Sequence, residues 1–211
     1  MSKKEQQVEQ PQPLRIPEKF LWVDTETGGT NPKKNGVIQI ACIYEHGERL
    51  KKSNPTEFFE RLVNPVGTKL TKEALEINGH KKKKIKKYPK DTLDKLINFL
   101  DSKVNKFDKT DKMLILGYNV KFDLEMIHAW AKREGFEYMG SYLDWRVVDV
   151  LVLARTAHAL GLFPENPIDF KLGTICKVFG IEEPTHDAMD DIRATRDLFY
   201  TLTKNWGFLN V

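Results

Sequence analysis

An α/β fold, a mixed sheet with helices packed on it, is what this sequence predicts, because strand-like runs come first and strand-like and helix-like runs alternate after them. The first three strands fall at residues 20–24, 37–44 and 57–63, rich in β-branched and aromatic residues. The turn formers Gly28-Gly29-Thr30-Asn31-Pro32 separate the first from the second, so the three predict a meander. A short helix over 70–77 follows. The next, over 91–100, carries Leu93, Leu96, Ile97 and Leu100 at helical spacing. A buried strand at 113–118 feeds a helix over 120–134, and an extended stretch at 145–149 feeds one over 151–160. After the loop 161–170 come helices at 172–179 and 187–206. No internal repeat is visible.

With 211 residues, 40% of them hydrophobic, the chain suffices for one sizeable core and leaves little room for a second. Residues 1–17, rich in Gln, Glu, Lys and Pro, predict a disordered arm; 18–211 predict the ordered domain. No apolar run reaches the roughly 18 residues that would span a bilayer, and the polar start lacks the apolar centre of a signal peptide. A soluble cytoplasmic protein with no membrane partner is therefore expected. Cys42 and Cys176 have neither metal-ligand nor disulfide-framework spacing and read as buried intracellular thiols.

Residues 81–90 hold seven lysines, and without them the net charge of +4 would become −3. Such a run is commonly a solvated loop or helix end, and it would also serve as a localisation signal. A local positive patch on an acidic body equally suits a phosphate backbone.

The informative residues are acids on faces that should be buried. In the first strand, the period of two puts Phe20, Trp22, Asp24 and Glu26 on one side and Leu21, Val23 and Thr25 on the other. Two carboxylates thus follow two apolar residues at the carboxyl end of the strand, where α/β sheets usually hold their sites. Asp123 shares a helical row with Val120, Ile127 and Trp130, the row expected to face the sheet. Asn119, just before that helix, is expected to cap it. In the last helix Ala188, Ile192, Thr195, Phe199, Leu202 and Trp206 form an apolar seam, and Asp191 flanks it. An Asp at a strand end often does no more than cap a turn. Three inward-leaning acids from separate blocks are harder to place as solvated surface, since each charge costs free energy to bury unless compensated. Divalent cations between them would supply that compensation, and carboxylate oxygens are the ligands hard cations prefer.

His186 stands five residues before Asp191, just outside the last helix. A loop histidine is usually without function, but one anchored beside a metal site can deprotonate a bound water, a task suited to its ordinary pKa. Asp187 and Asp190 compete for the acidic role; Asp187 in the first helical turn and Asp190 turned off the seam both read as surface charges that favour a helix N-terminus.

Asp24-Thr-Glu26-Thr-Gly28, Asn119-Val-Lys-Phe-Asp123 and His186-Asp-Ala-Met-Asp-Asp191 resemble, in order, the three motifs of the DEDDh (DnaQ-like) 3′-to-5′ exonucleases. The run from Asp149 to Arg155, Leu172, and Phe179-Gly-Ile181 are also similar to that family, so the resemblance covers about 20–202. It implies a ribonuclease-H-like fold, a mixed five-stranded sheet flanked by helices. It also implies nucleotide-by-nucleotide hydrolysis from a 3′ end with two ions of Mg²⁺ or Mn²⁺. By the resemblance Asp24 bridges both metals, Glu26 and Asp191 complete the site carrying the attacking water, Asp123 holds the second metal, and His186 is the general base. The metals would lie about 4 Å apart.

Substrate contacts are expected from the backbone of Thr27 and Gly28, because glycine permits close approach, and from Ile77, Asn78 and Phe122 by position. Lys81, Lys82, Lys83 and Lys84 are expected to track the phosphates. Single-stranded nucleic acid with a free 3′ end is the expected partner, DNA preferred, since a deep pocket accepts unstacked ends. A polymerase is a candidate protein partner. Two alternatives stand beside this reading: an exoribonuclease of the same fold, and an inactive nucleic-acid-binding or polymerase-tethering module. A module that only binds has no reason to keep buried anions that repel its ligand. The basic segment after Asn78-Gly79-His80 departs from the family pattern and bears on substrate preference.

Overall fold

A computed structural model describes residues 17–77 and 89–205. The predicted arm, apart from Pro17, lies outside the described residues, as do Asn78, the lysines at 81–87 and Trp206. The strands are β1 (Lys19–Thr27), β2 (Val37–His46), β3 (Thr56–Leu62), β4 (Met113–Gly117) and β5 (Leu143–Asp149). The helices are α1 (Lys72–Ile77), α2 (Pro89–Asp101), α3 (Val120–Arg133), α4 (Val150–Ala159), α5 (Leu172–Val178) and α6 (Ala188–Asn205). They form a five-stranded sheet in the order β3-β2-β1-β4-β5. β1, β2 and β3 run antiparallel as the expected meander, while β4 pairs parallel to β1 and β5 parallel to β4. The expected α/β mixed sheet is thus observed. α2 begins at Pro89, two residues earlier than periodicity indicates; proline fits a first helical turn because its missing N–H would be unpaired there anyway.

β1 sits at the centre of the sheet and divides the core. Its alternation sends Leu21 and Val23 to one side, among Leu93, Leu96, Val120, Ile127 and Trp130 of α2 and α3. Phe20 and Trp22 go to the other side, among Ala188, Ile192, Phe199 and Leu202 of α6. Trp22 meets Phe199 edge-to-face, ring centroids 5.3 Å apart. α6 is further tied to β2 by a buried polar group: Glu45 Oε1 accepts from Arg196 Nε, and Glu45 Oε2 accepts from Tyr200 Oη at 3.0 Å. Removing Arg196 would leave the buried Glu45 carboxylate without its countercharge, a costly state. The helix that carries Asp191 is therefore held to the sheet by packing on β1 and by ion pairing to β2. Among the described residues no helix is long and apolar enough to cross a membrane.

Candidate active site

The carboxyl end of β1 and the start of α6 meet on one side of the sheet. Asp24 pairs across the ladder with Ala41 and Glu26 with Gln39, and both acids follow Trp22 on the α6 side. Asp191, in the first turn of α6, approaches them from above. One carboxylate oxygen from each of Asp24, Glu26 and Asp191 lies within 4.8 Å of the others. Residues separated by 165 positions and more thus converge because strand alternation and the helical seam point the same way.

The electrostatics of this trio are unfavourable as it stands. Burial and then the charges of Asp123, Asp191, Glu26 and Asp187 push the Asp24 carboxyl well above its ordinary value. Burial, with Asp191 and Asp123, pushes Glu26 up to about 8. Asp191 rises to about 6 through burial, with the His186 charge pulling the other way. Such groups resist ionising together, and bound protons or a bound divalent cation would relieve the repulsion. Three converging carboxylate oxygens without nitrogen or sulfur are a donor set that fits a hard cation of the Mg²⁺ or Mn²⁺ type.

Asp123 arrives from the opposite side, on the inner row of α3 as expected, and only 4% exposed. It does not join the trio. Its Oδ1 accepts from the Thr25 backbone N–H at 2.9 Å and the Thr25 hydroxyl at 2.7 Å. Burial raises its carboxyl to about 7 against those two bonds, which hold it down. Its charge nonetheless reaches Asp24 and Glu26.

His186 is exposed. Its backbone is left-handed (φ 58°), an uncommon state for a residue with a side chain, and its N–H donates to Asp191 Oδ1 at 3.2 Å. Asp190 lies off the site, accepting from Thr185 Oγ1 at 2.8 Å and pairing with Arg193. Asp187 differs from the surface charge expected. It does cap α6, its Oδ1 accepting from the Met189 N–H at 3.0 Å, but it is half-buried and its Oδ2 accepts from Gln39 Nε2 at 2.9 Å. Its charge also raises Asp24 and Glu26.

Other expectations change in detail. Asn119 occupies the N-cap position of α3, yet its side chain makes no capping bond. It is instead left-handed (φ 55°), and its N–H donates to Asp149 Oδ1 at 2.9 Å. The same Asp149 oxygen caps α4 by accepting from the Leu151 N–H at 3.0 Å, so one carboxylate ties together the turns after β4 and β5. Gly28 is buried, and a Cβ there would run into the Leu70 side chain and lie 3.2 Å from the Lys69 carbonyl oxygen. Packing against the segment before α1 therefore favours glycine here, without a nucleotide beside it. Thr27 is buried and its hydroxyl donates to the Gly29 carbonyl at 3.1 Å. Phe122 is half-buried against the α2–α3 core. Ile77 ends α1, while Asn78 and Lys81 to Lys84 fall outside the described residues.

A central strand ending in two acids, an acid on each of two flanking helices and a histidine before the second define a nuclease fold of the ribonuclease-H type. The chain belongs to the exonuclease family RNase_T, whose family model matches residues 21–199. It is 25% identical, over 89% of its length, to a Mycobacterium tuberculosis protein described as a bifunctional exonuclease/endonuclease, of which it spans 27%. It is 24% identical to ribonuclease T of Buchnera aphidicola, covering 89% of this chain and 84% of that one. Among solved structures it superposes on exonuclease I of Escherichia coli in complex with a dT13 oligonucleotide, with a TM-score of 0.72 and 26% identity. That match takes in 89% of this chain and 41% of exonuclease I.

Proposed function

We propose that this chain removes nucleotides one at a time from the 3′ end of single-stranded DNA, releasing nucleoside monophosphates. The carrying observation is the convergence of Asp24, Glu26 and Asp191, with His186 anchored by its backbone to the last of them. Asp24, Glu26 and Asp191 would hold one divalent cation, Mg²⁺ or Mn²⁺, and Asp123 beside Asp24 would help hold a second. Bound there, such ions would acidify an attacking water and offset charge growing on the phosphate oxygens.

The remaining roles belong to the chain itself. The His186 imidazole accepts a proton from the water that attacks the last phosphodiester phosphorus. The bond from that phosphorus to the 3′ oxygen of the preceding nucleotide breaks and that oxygen takes a proton from solvent, leaving a shortened strand with a 3′ hydroxyl and a free 5′-monophosphate. Thr25 holds Asp123 in place from the opposite side of the strand through two donors on one oxygen. The exonuclease I relative binds a thymidine oligonucleotide, which supports single-stranded DNA as the substrate class.

The ribonuclease T relative supports a second reading, exonucleolytic trimming of RNA, because its length is matched far more completely than that of exonuclease I. One experiment separates the two. The purified chain is incubated with 5′-labelled single-stranded DNA, duplex DNA and RNA of one sequence, with Mg²⁺ and with chelator. Laddering of single-stranded DNA from the 3′ end, only with Mg²⁺, is the expected result; faster loss of the RNA supports the second reading, and no cleavage of any substrate rejects both.

A further inference from the structure

Gln39 lies in the apolar run of β2, between Ile38 and Ile40, and is only 1% exposed. A carboxamide so placed must find partners within the protein. In the ladder it stands opposite Glu26, which directs its side chain to the α6 side of the sheet. There its Nε2 donates to Asp187 Oδ2 at 2.9 Å and to Glu60 Oε1 at 3.0 Å, and its Oε1 faces the Ala188 N–H at 3.5 Å. Two carboxylates thus share the two hydrogens of one neutral amide. Ala188 is the first residue of α6, and Asp187 caps that helix from the position next to His186.

His186 needs such support. Its left-handed backbone is an uncommon state that persists only where its surroundings fix it. It is fixed from two sides. On one, its N–H donates to Asp191 Oδ1; on the other, the next residue is clamped by the Gln39 bond and by the α6 cap. A one-residue slip at Asp187 would reorient the imidazole while leaving Asp24, Glu26 and Asp191 on their own elements.

We propose that Gln39 is a positioning residue for His186, acting through Asp187 and not through the carboxylate trio. This rests on the reading of His186 as the base of a nuclease. Replacing Gln39 with methionine keeps the volume and removes both donors, so the rate of single-stranded DNA cleavage should fall by roughly 10- to 100-fold. Asp187→Ala breaks the same bond from its half-buried end, along with the α6 cap, and should give at least as large a loss of rate; it serves if Gln39→Met folds poorly.

The deciding measurement repeats both substitutions in a His186→Ala background, alongside Mn²⁺ affinity by calorimetry. If Gln39 acts through His186, its replacement costs nothing further once the imidazole is gone, and the Gln39→Met chain keeps wild-type Mn²⁺ affinity. A Gln39→Met penalty that persists in the His186→Ala background, or one that tracks a loss of Mn²⁺ affinity, overturns the proposal. So does a Gln39→Met chain as active as wild type. A wild-type chain inert on DNA and RNA overturns instead the nuclease reading beneath it.

Discussion

Thr25 binds Asp123 twice, its backbone N–H at 2.9 Å and its hydroxyl at 2.7 Å converging on the same carboxylate oxygen. The two residues are 98 positions apart and face each other because β1 turns Thr25 away from Asp24 and Glu26. Thr25→Val keeps the shape and deletes the hydroxyl donor. A hydrogen bond to a charged group contributes about 1.5–3 kcal/mol, so the ionised Asp123 should lose stability and its carboxyl should rise further. Cleavage should then require more Mg²⁺ for half-maximal rate. A Thr25→Val chain with wild-type Mg²⁺ dependence would mean that α3 and the residue-25 backbone N–H place Asp123 without the hydroxyl.

The metal-free chain should be more stable near pH 5 than near pH 8. Asp24, Glu26, Asp123 and Asp191 all have native carboxyls raised above their ordinary values, with Glu26 at about 8 and Asp123 at about 7. Between about pH 4 and those values the native state binds more protons than the unfolded chain, so the slope of unfolding free energy with pH is negative. Stability is lost as pH rises through the raised values. A divalent cation binds the ionised cluster, so its stabilising effect should grow over the same window. Thermal unfolding with chelator and with Mn²⁺ at about pH 5 and pH 8 tests both signs; equal stabilisation at the two pH values would argue against a metal at this cluster.

Much of this geometry was legible in the sequence, and for a physical reason. A strand's period of two determines that Asp24 and Glu26 share the face of Trp22, and the helical row determines that Asp123 points inward. What stayed hidden are partners that sequence spacing cannot bring together. Gln39 finds Glu60 on the neighbouring strand and Asp187 at the start of α6, 148 positions away. Its signal was present: a carboxamide inside the apolar run from Val37 to Ile43 must be satisfied by something. Asn119 misled because asparagine suits both a cap and the left-handed region, and here the backbone of Asn119 serves Asp149.

Asp24→Ala should abolish cleavage and spare the fold. Burial, and then the charges of Asp123, Asp191, Glu26 and Asp187, hold the Asp24 carboxyl well above its ordinary value. Its removal should even raise the unfolding temperature in chelator, because a buried repulsion disappears. Asp190→Asn is the control: Asp190 contacts Thr185 and Arg193, away from the trio, and should keep most activity. If Asp190→Asn is the dead variant and Asp191→Asn the live one, the register of the third acidic block is wrong.

The lysines at 81–84 make a separate prediction from charge alone. If they track the phosphate backbone, replacing Lys81, Lys82, Lys83 and Lys84 with glutamine should weaken binding of long substrates. It should also flatten the dependence of log affinity on log salt by about 0.7 per lost single-strand phosphate contact. Dinucleotide cleavage should be nearly unchanged. An unaltered salt slope would make this run an ordinary solvated segment.

His186→Ala separates binding from chemistry. The imidazole supplies none of the carboxylate oxygens of the trio, and the residue's link to Asp191 runs through its backbone N–H, which alanine keeps. Metal and DNA affinity should therefore persist while hydrolysis falls by roughly 10²- to 10⁴-fold, the usual contribution of a positioned general base. The loss should shrink at high pH, where hydroxide needs less help. Left-handed backbone costs alanine more than glycine, so His186→Gly is the companion variant that relieves any strain at φ 58°. If both variants lose the rate and retain Mn²⁺ affinity by calorimetry, the imidazole performs the proton transfer. If His186→Gly regains the rate that His186→Ala loses, the position matters only through its backbone, and another group must serve as the base.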